Sequence, residues 1–81
     1  MEATLNLLDT VITTVNSPDH QVLAGDIGAI VEIYTDPGLA YEVELVNPDV
    51  TARALLTLAP EQVRQLSASD VITTRQLPLA A

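Results

Sequence analysis

The chain has 81 residues, and its composition already excludes several classes of protein. It is short enough to form a single domain, and because it lacks cysteine, no disulfide or thiolate-bound metal can stabilise it. No apolar run approaches the roughly 20 residues that a membrane span requires, and the first ten residues lack the basic start of a secretory signal. We therefore expect a soluble protein of the cytoplasm.

The charge balance is strongly acidic. Eleven aspartates and glutamates face three arginines and no lysine, which gives a net charge of −8. Nucleic acids are bound largely by cations that replace the counterions of phosphates, and three arginines spread over positions 53, 64 and 75 cannot form a basic patch. We expect no direct binding to DNA, RNA or anionic membranes. The acidic surface either keeps the protein soluble or attracts a partner that is itself cationic.

Short strands separated by turn residues fill most of the sequence. Strands are predicted at 7–15, 27–34, 41–46 and 52–58, and the third alternates glutamate with apolar residues, as in a strand with one solvated face. Pro60 and Glu61 are typical of the first turn of a short helix, which is expected to continue for about one turn. These elements predict an all-β fold, a small closed barrel with one short helical turn near Pro60 to Arg64.

Two of the three glycines lie three residues apart, at Gly25 and Gly28. Gly25 is expected to end a loop with a positive φ, whereas Gly28 lies inside the second strand, where glycine indicates a bulge or a sharp bend. The alternative, a loop that cradles phosphate, is disfavoured because no helix follows and no lysine is near.

The chain is expected to divide into a barrel domain over residues 1–66 and a tail over residues 67–81. The tail would be either an extra strand or a flexible arm, and its apolar end, LPLAA, is expected to become ordered only on binding.

The sequence offers little for catalysis or metal binding. His20 is the single histidine, and the nearby Thr13, Thr14 and Asp19 have no spacing that is diagnostic of a catalytic triad. His20 and Asp19 are two possible zinc ligands, where three or four are usual. We expect a protein that is not an enzyme and that has no metal and no cofactor.

The acidic strands are more informative. If Val31 and Ile33 face the core together with the apolar residues of the third strand, the intervening glutamates face outward, and Glu32 lies opposite Glu42 or Glu44. Glu44 would in turn lie opposite Arg53. The face is then either a solvated surface or a docking surface for a basic partner. By the same alternation Tyr34 joins it, so the candidate partner-binding residues are Glu32, Tyr34, Glu42 and Glu44.

Several blocks of sequence occur in the order and spacing of a known family. They are Leu8-Asp9-Thr10-Val11, Gly25-Asp26-Ile27-Gly28 with Val31-Glu32, Tyr41-Glu42-Val43-Glu44, and Leu58 through Leu66. Over about residues 7–66 the chain resembles a family of small stand-alone bacterial proteins, the domain of unknown function 4926. The Gly-Asp-x-Gly core also resembles SH3-like barrels of ribosomal and transcription-factor modules, which are basic where this chain is acidic.

The resemblance implies an SH3-like barrel of about five strands without established catalysis, encoded beside a small ribonuclease-type toxin. By that resemblance the chain would be the antitoxin of a type II toxin–antitoxin pair, and it would neutralise a cationic toxin by direct protein binding. The alternative is a non-catalytic SH3-like adaptor that binds a peptide or an enzyme subunit.

Overall fold

The computed structural model describes residues 5–47, 49 and 51–76, and these residues contain one antiparallel sheet of five strands. The predicted all-β class is therefore confirmed. The sheet order is β4-β3-β2-β1-β5. The strands are β1 (Thr10–Thr13), β2 (Ile27–Tyr34), β3 (Ala40–Val46), β4 (Ala52–Leu58) and β5 (Val63–Gln65).

The connections between strands combine a three-stranded antiparallel meander with the pairing of the first and last strands. Strands β2, β3 and β4 follow one another as antiparallel hairpins, and β1 pairs with both β2 and β5. Strand β5 therefore lies beside β1, at the opposite edge of the sheet from β4. The predicted bounds of the second and fourth strands match those of β2 and β4, whereas β1 is much shorter than the predicted 7–15.

The described residues contain two short 3-10 turns. The predicted one lies at Pro60–Gln62, immediately before β5, where the Gln62 side chain accepts a hydrogen bond from the Ala59 N–H at 2.9 Å. The second, at Pro18–His20, was not predicted. It begins with a proline at its first position, where the fixed φ suits a helical turn and no N–H is required.

The core lies on one face of the sheet and is entirely aliphatic apart from one tyrosine. Its members alternate along β3 and along β4 from Ala54, as period-two patterning requires, whereas Val11, Ile12 and Thr13 of β1 are all buried. Fully buried side chains come from four separate segments, namely Val11, Val22, Ile30, Val43 and Leu45. Tyr41 is also buried, and its exposed fraction is 3%.

One core prediction is wrong. Ile30, not Val31, carries the buried large side chain of β2, because the register between β2 and β3 shifts between Ile30 and Glu32. Val31 is the extra residue of this bulge and is only half-buried. The bulge changes which alternate residues face the core, so Ile30 before it and Ile33 after it both pack against the core.

Gly25 and Gly28 are required for different reasons. Gly25 has a φ of +100°, as predicted for the end of the loop. At Gly28 a Cβ would lie 2.7 Å from the carbonyl oxygen of Glu44 and 2.7 Å from Val43 Cγ1. Gly28 therefore allows the backbones of β2 and β3 to approach closely, while the register shift lies further along β2 at Val31.

The segment at 67–76 has no strand assigned, and two ion pairs connect it to the sheet. Asp70 pairs with Arg64 of β5 at 2.8 Å, and Arg75 pairs with Asp26, the residue just before β2. The tail therefore crosses from the β5 edge to the beginning of β2. The apolar end LPLAA lies outside the described residues.

Candidate functional site

Three of the four predicted site residues meet on the solvated face of the β2–β3 hairpin. Glu32 of β2 lies directly opposite Glu42 of β3, which is one of the two predicted pairings. Tyr34 lies two residues after Glu32, on the same face, with 40% of its surface exposed. Like charges directly opposite one another in a sheet destabilise it by up to about 1 kcal/mol. The sequence therefore places an unfavourable pair where only solvent faces it.

Tyr34 is hydrogen-bonded to one of these two glutamates. The Tyr34 hydroxyl donates to Glu42 Oε1 at 3.0 Å, and Glu32 Oε1 accepts from the Ile33 N–H at 3.2 Å. The hydrogen bond to Glu42 raises the pKa of the Tyr34 phenol above its usual value, and the negative charges of Glu42 and Glu32 act in the same direction. The tyrosine is therefore held neutral among the carboxylates.

Glu44 completes the face, but the predicted pairing with Arg53 is wrong. Glu44 lies opposite Leu55 of β4, because Val46 pairs with Ala52 where the predicted register requires Thr51, and a bulge shifts the register by one more residue between Leu45 and Val46. The shift leaves Arg53 as an extra residue between the paired positions of β4. We call the set Glu32, Tyr34, Glu42 and Glu44 the acidic face. It borders Leu55 and Thr57 of β4, and Leu55 is 52% exposed.

Arg53, which was expected opposite Glu44, pairs with the carboxylate of Asp26. Arg53 Nη2 is 3.3 Å from Asp26 Oδ2, Arg75 pairs with the same carboxylate, and both guanidiniums donate to the backbone carbonyl of Gln21. We call Asp26, Arg53 and Arg75 the Asp26 cluster. Two of the arginines expected to be spread apart therefore converge, but around a carboxylate that neutralises part of their charge.

The Asp26 carboxyl is held in its charged form. Its side chain is 16% exposed, and this burial raises its pKa. The hydrogen bonds from Arg75 and from the Leu23 N–H, together with the charges of Arg75 and Arg53, outweigh burial, so that the pKa lies below its usual value. The cluster connects the loop before β2, the bulge of β4 and the tail.

The third arginine is also paired. Arg64 forms a two-pronged contact with Asp70, with 3.0 Å from Nη1 to Oδ2 and 2.8 Å from Nη2 to Oδ1. This hydrogen bonding holds the pKa of Asp70 well below its usual range, and the Ser67 N–H contributes to the shift. Since the sequence has three arginines and no lysine, no arginine or lysine is left to neutralise the acidic face.

An open cleft of about 250 Å³ lies beside the Asp26 cluster. Its walls come from Asp26 and Arg53, from Asn47 at the end of β3, and from Thr73 and Thr74 of the tail. The sequence does not mark this region as a site. Gly25-Asp26 belongs to a recognisable block, but nothing in the spacing of Arg53 and Arg75 indicates that both reach Asp26.

The residues considered for catalysis have other contacts. The hydroxyls of Thr13 and Thr14 each donate to a backbone carbonyl, at 3.1 Å in both cases, and His20 Nδ1 lies 2.9 Å from the Ser17 hydroxyl. Within the described part of the chain, no three histidine, aspartate or glutamate side chains are arranged to hold a metal ion. In the same residues, no helix is long and apolar enough to cross a membrane.

Comparison with known proteins identifies the family. The model of the family described as Domain of unknown function (DUF4926) matches residues 7–65, and the protein belongs to this family. The match covers the five strands and ends at the last residue of β5. No curated protein and no solved structure matches the chain significantly.

Proposed function

We propose that this protein is the antitoxin of a type II toxin–antitoxin pair, and that it neutralises a cationic ribonuclease-type toxin by direct binding through the acidic face. The observation that carries the proposal is the uncompensated charge of this face. Glu32, Glu42 and Glu44 lie together on one hairpin face, while all three arginines of the chain pair with Asp26 or Asp70.

The chemistry of such a toxin supports this choice of face. A ribonuclease holds the phosphates of RNA with cationic side chains, so an array of carboxylates is complementary to the same surface. Antiparallel pairing brings the carboxylates of β2 and β3 together on one sheet. Because the sheet already holds the backbone of these residues in place, less conformational entropy is lost when a partner binds. The protein would then inhibit by occupying the RNA-binding surface, without catalysing a reaction.

An interface needs an apolar centre as well as charge. Tyr34 and Leu55 are both exposed and border the glutamates on opposite sides. Tyrosine is enriched among the residues that dominate binding energy, because its ring buries a large area while its hydroxyl still finds a partner. Here Glu42 already accepts that hydrogen bond, so the ring is held in place before a partner arrives.

The test is co-expression with the small neighbouring gene that the family resemblance leads us to expect. We expect expression of the neighbour alone to arrest growth and the present chain to relieve the arrest by forming an isolable complex. The double variant Glu32→Gln, Glu42→Gln should relieve it less well. The matched control is Asp19→Asn with Glu61→Gln, which removes the same charge from exposed positions outside the acidic face.

Two results would contradict the proposal. If the neighbour does not arrest growth but still forms a complex with this chain, the adaptor alternative is favoured. If the arrest is relieved equally well by both double variants, the protein is an antitoxin that binds through some other surface.

A further inference from the structure

We propose that the free edge of β4 is a second part of the partner-binding site, where a basic strand of the partner adds to the sheet by backbone pairing. The inference rests on the proposed function for the existence of a basic protein partner, and it adds the mode of docking. The region concerned is Ala54 to Leu58, the part of β4 that follows its bulge.

The edge is open over the described residues. Strand β4 is the last of the sheet order and pairs with β3 alone. Alternate residues of such a strand direct N–H and C=O groups away from their one neighbour, so a second strand can pair with them. The side chains alternate as well, with Leu56 and Leu58 buried and Leu55 and Thr57 exposed.

After the bulge at Arg53, this edge lacks the usual features that prevent pairing. Natural edge strands carry lysines, prolines or bulges that discourage another strand from adding. The one charged residue of β4 is Arg53, and its guanidinium contacts Asp26 and the Gln21 carbonyl oxygen. From Ala54 to Leu58 there is no charged residue and no proline. This part of β4 is therefore suited to pairing with a further strand.

The acidic face determines what can occupy the edge. Glu42 lies opposite Thr57 and Glu44 lies opposite Leu55, so both carboxylates are one strand away from the edge. A strand added to β4 would lie about 4.8 Å beyond it. A lysine or arginine on that strand could place its aliphatic stem on Leu55 and its charge near Glu44. Alternating basic residues in an extended segment fit this arrangement.

A second copy of the chain fits much less well. Pairing two β4 edges would bring together the carboxylates of both acidic faces, in a protein whose net charge is already −8. The opposite edge, β5, has only three residues and carries Arg64. The charges next to β4 thus favour a basic strand over self-pairing and favour β4 over β5.

A synthetic peptide that alternates lysine and valine tests the inference on the intact chain. We expect it to bind at low salt and to slow the exchange of backbone amide hydrogens within Ala54 to Leu58. The same peptide, N-methylated at every residue, keeps its charges but loses its N–H donors. We expect its affinity to be at least tenfold lower.

A pair of charge variants locates the site. Thr57→Lys places a cation opposite Glu42 and next to the free edge, and it should weaken binding of the peptide severalfold. Gln65→Lys adds the same charge at an exposed position of β5 and should weaken binding much less. Both variants change exposed side chains, and far-ultraviolet circular dichroism establishes that each remains folded.

Four results would overturn the inference. They are failure of the unmodified peptide to bind at low salt, equal affinity for both peptides, equal weakening by Thr57→Lys and Gln65→Lys, and amide protection at β5 in place of β4. A free chain that dimerises with its β4 amides protected would assign the edge to a second copy. None of these results depends on toxin neutralisation, so the proposed antitoxin function and the docking mode can fail separately.

Discussion

Strand β2 has carboxylates at both ends, and their surroundings are opposite. Just before its first residue, Asp26 is largely buried and contacts Arg53 and Arg75. Toward its other end, Glu32 lies opposite Glu42, with no arginine near enough to pair. With three arginines for eleven acidic residues, the fold uses its cations where chain segments must be held together.

The comparison separates two uses of a carboxylate. A paired, partly buried carboxylate contributes to stability, because its removal leaves a cation without its partner. An exposed carboxylate beside a like charge contributes nothing favourable to the fold, and its attraction is available to a cation from outside. The Asp26 cluster and the acidic face should therefore respond oppositely to neutralising substitutions, in stability and in partner binding.

The largest expected effect is on association through the acidic face. The triple variant Glu32→Gln, Glu42→Gln, Glu44→Gln should associate with the proposed basic partner about tenfold or more slowly at low salt, because steering by opposite charge is lost. The deficit should shrink as salt is raised, since screening weakens the wild-type attraction. Stopped-flow or biosensor association rates at several salt concentrations measure it.

Stability provides the control for that experiment. Glutamine relieves the repulsion between positions 32 and 42, so unfolding in urea should show unchanged or slightly increased stability. Because Arg53 pairs with Asp26, the Glu44→Gln change should also cost no salt bridge. If the triple variant associates as fast as wild type at low salt, the acidic face is only a solvated surface and does not take part in binding.

The next effect concerns the Asp26 cluster. Asp26→Asn keeps the size of the side chain but removes the charge that Arg53 and Arg75 contact, and it should lower the free energy of unfolding by about 1–2 kcal/mol. It should also loosen the tail. Trypsin cleaves after arginine, so faster cleavage after Arg75 in native protein reports the release. Unchanged stability and unchanged cleavage would show that the cluster contributes nothing to the fold.

Much of this architecture follows from the sequence, because the alternation in β3 is regular. Tyr41 and Val43 face the core and Glu42 faces solvent, as period two predicts. The opposition of Glu32 and Glu42 follows from matching the two hairpin strands. For Gly28 the sequence predicts a bulge or a sharp bend, whereas the structure requires glycine there because the β3 backbone approaches closely.

The pairings and side-chain orientations that were predicted wrongly in β2 and β4 depend on two bulges, and no residue type in the sequence marks them. Each inserts one extra residue, Val31 in β2 and Arg53 in β4, and each shifts the alternation that follows it. Neither position is a glycine or proline, so no local preference indicates it. The ion pair between Asp26 and Arg75 spans 49 residues of sequence, and only the folded chain brings those two side chains together.

Acid should weaken the ion pairs of the Asp26 cluster. The pKa of Asp26 lies below its usual value of 3.8 in the folded protein, so its ion pairs stabilise the fold fully above about pH 4. That contribution is lost as the pH falls through the lower, folded-state pKa. Wild-type stability should therefore decline more steeply than that of Asp26→Asn below about pH 4. Parallel declines in urea unfolding would indicate that Asp26 titrates alike in the folded and unfolded states.

The smallest expected effect is on the ionisation of Tyr34, which reports the field of the acidic face directly. Its pKa is raised above 10.0, first by the hydrogen bond to Glu42, and the charge of Glu32 contributes least. Glu42→Gln should therefore bring the pKa closest to its ordinary value, Glu32→Gln should lower it less, and Glu44→Gln should leave it nearly unchanged. The NMR chemical shift of the ring carbon bonded to oxygen, followed with pH, measures each value. If the three variants gave the same shift, Tyr34 would be sensing the overall charge of the protein and not its contact with Glu42. The acidic face would then lack the hydrogen-bonded tyrosine–carboxylate pair that the proposed partner recognition uses.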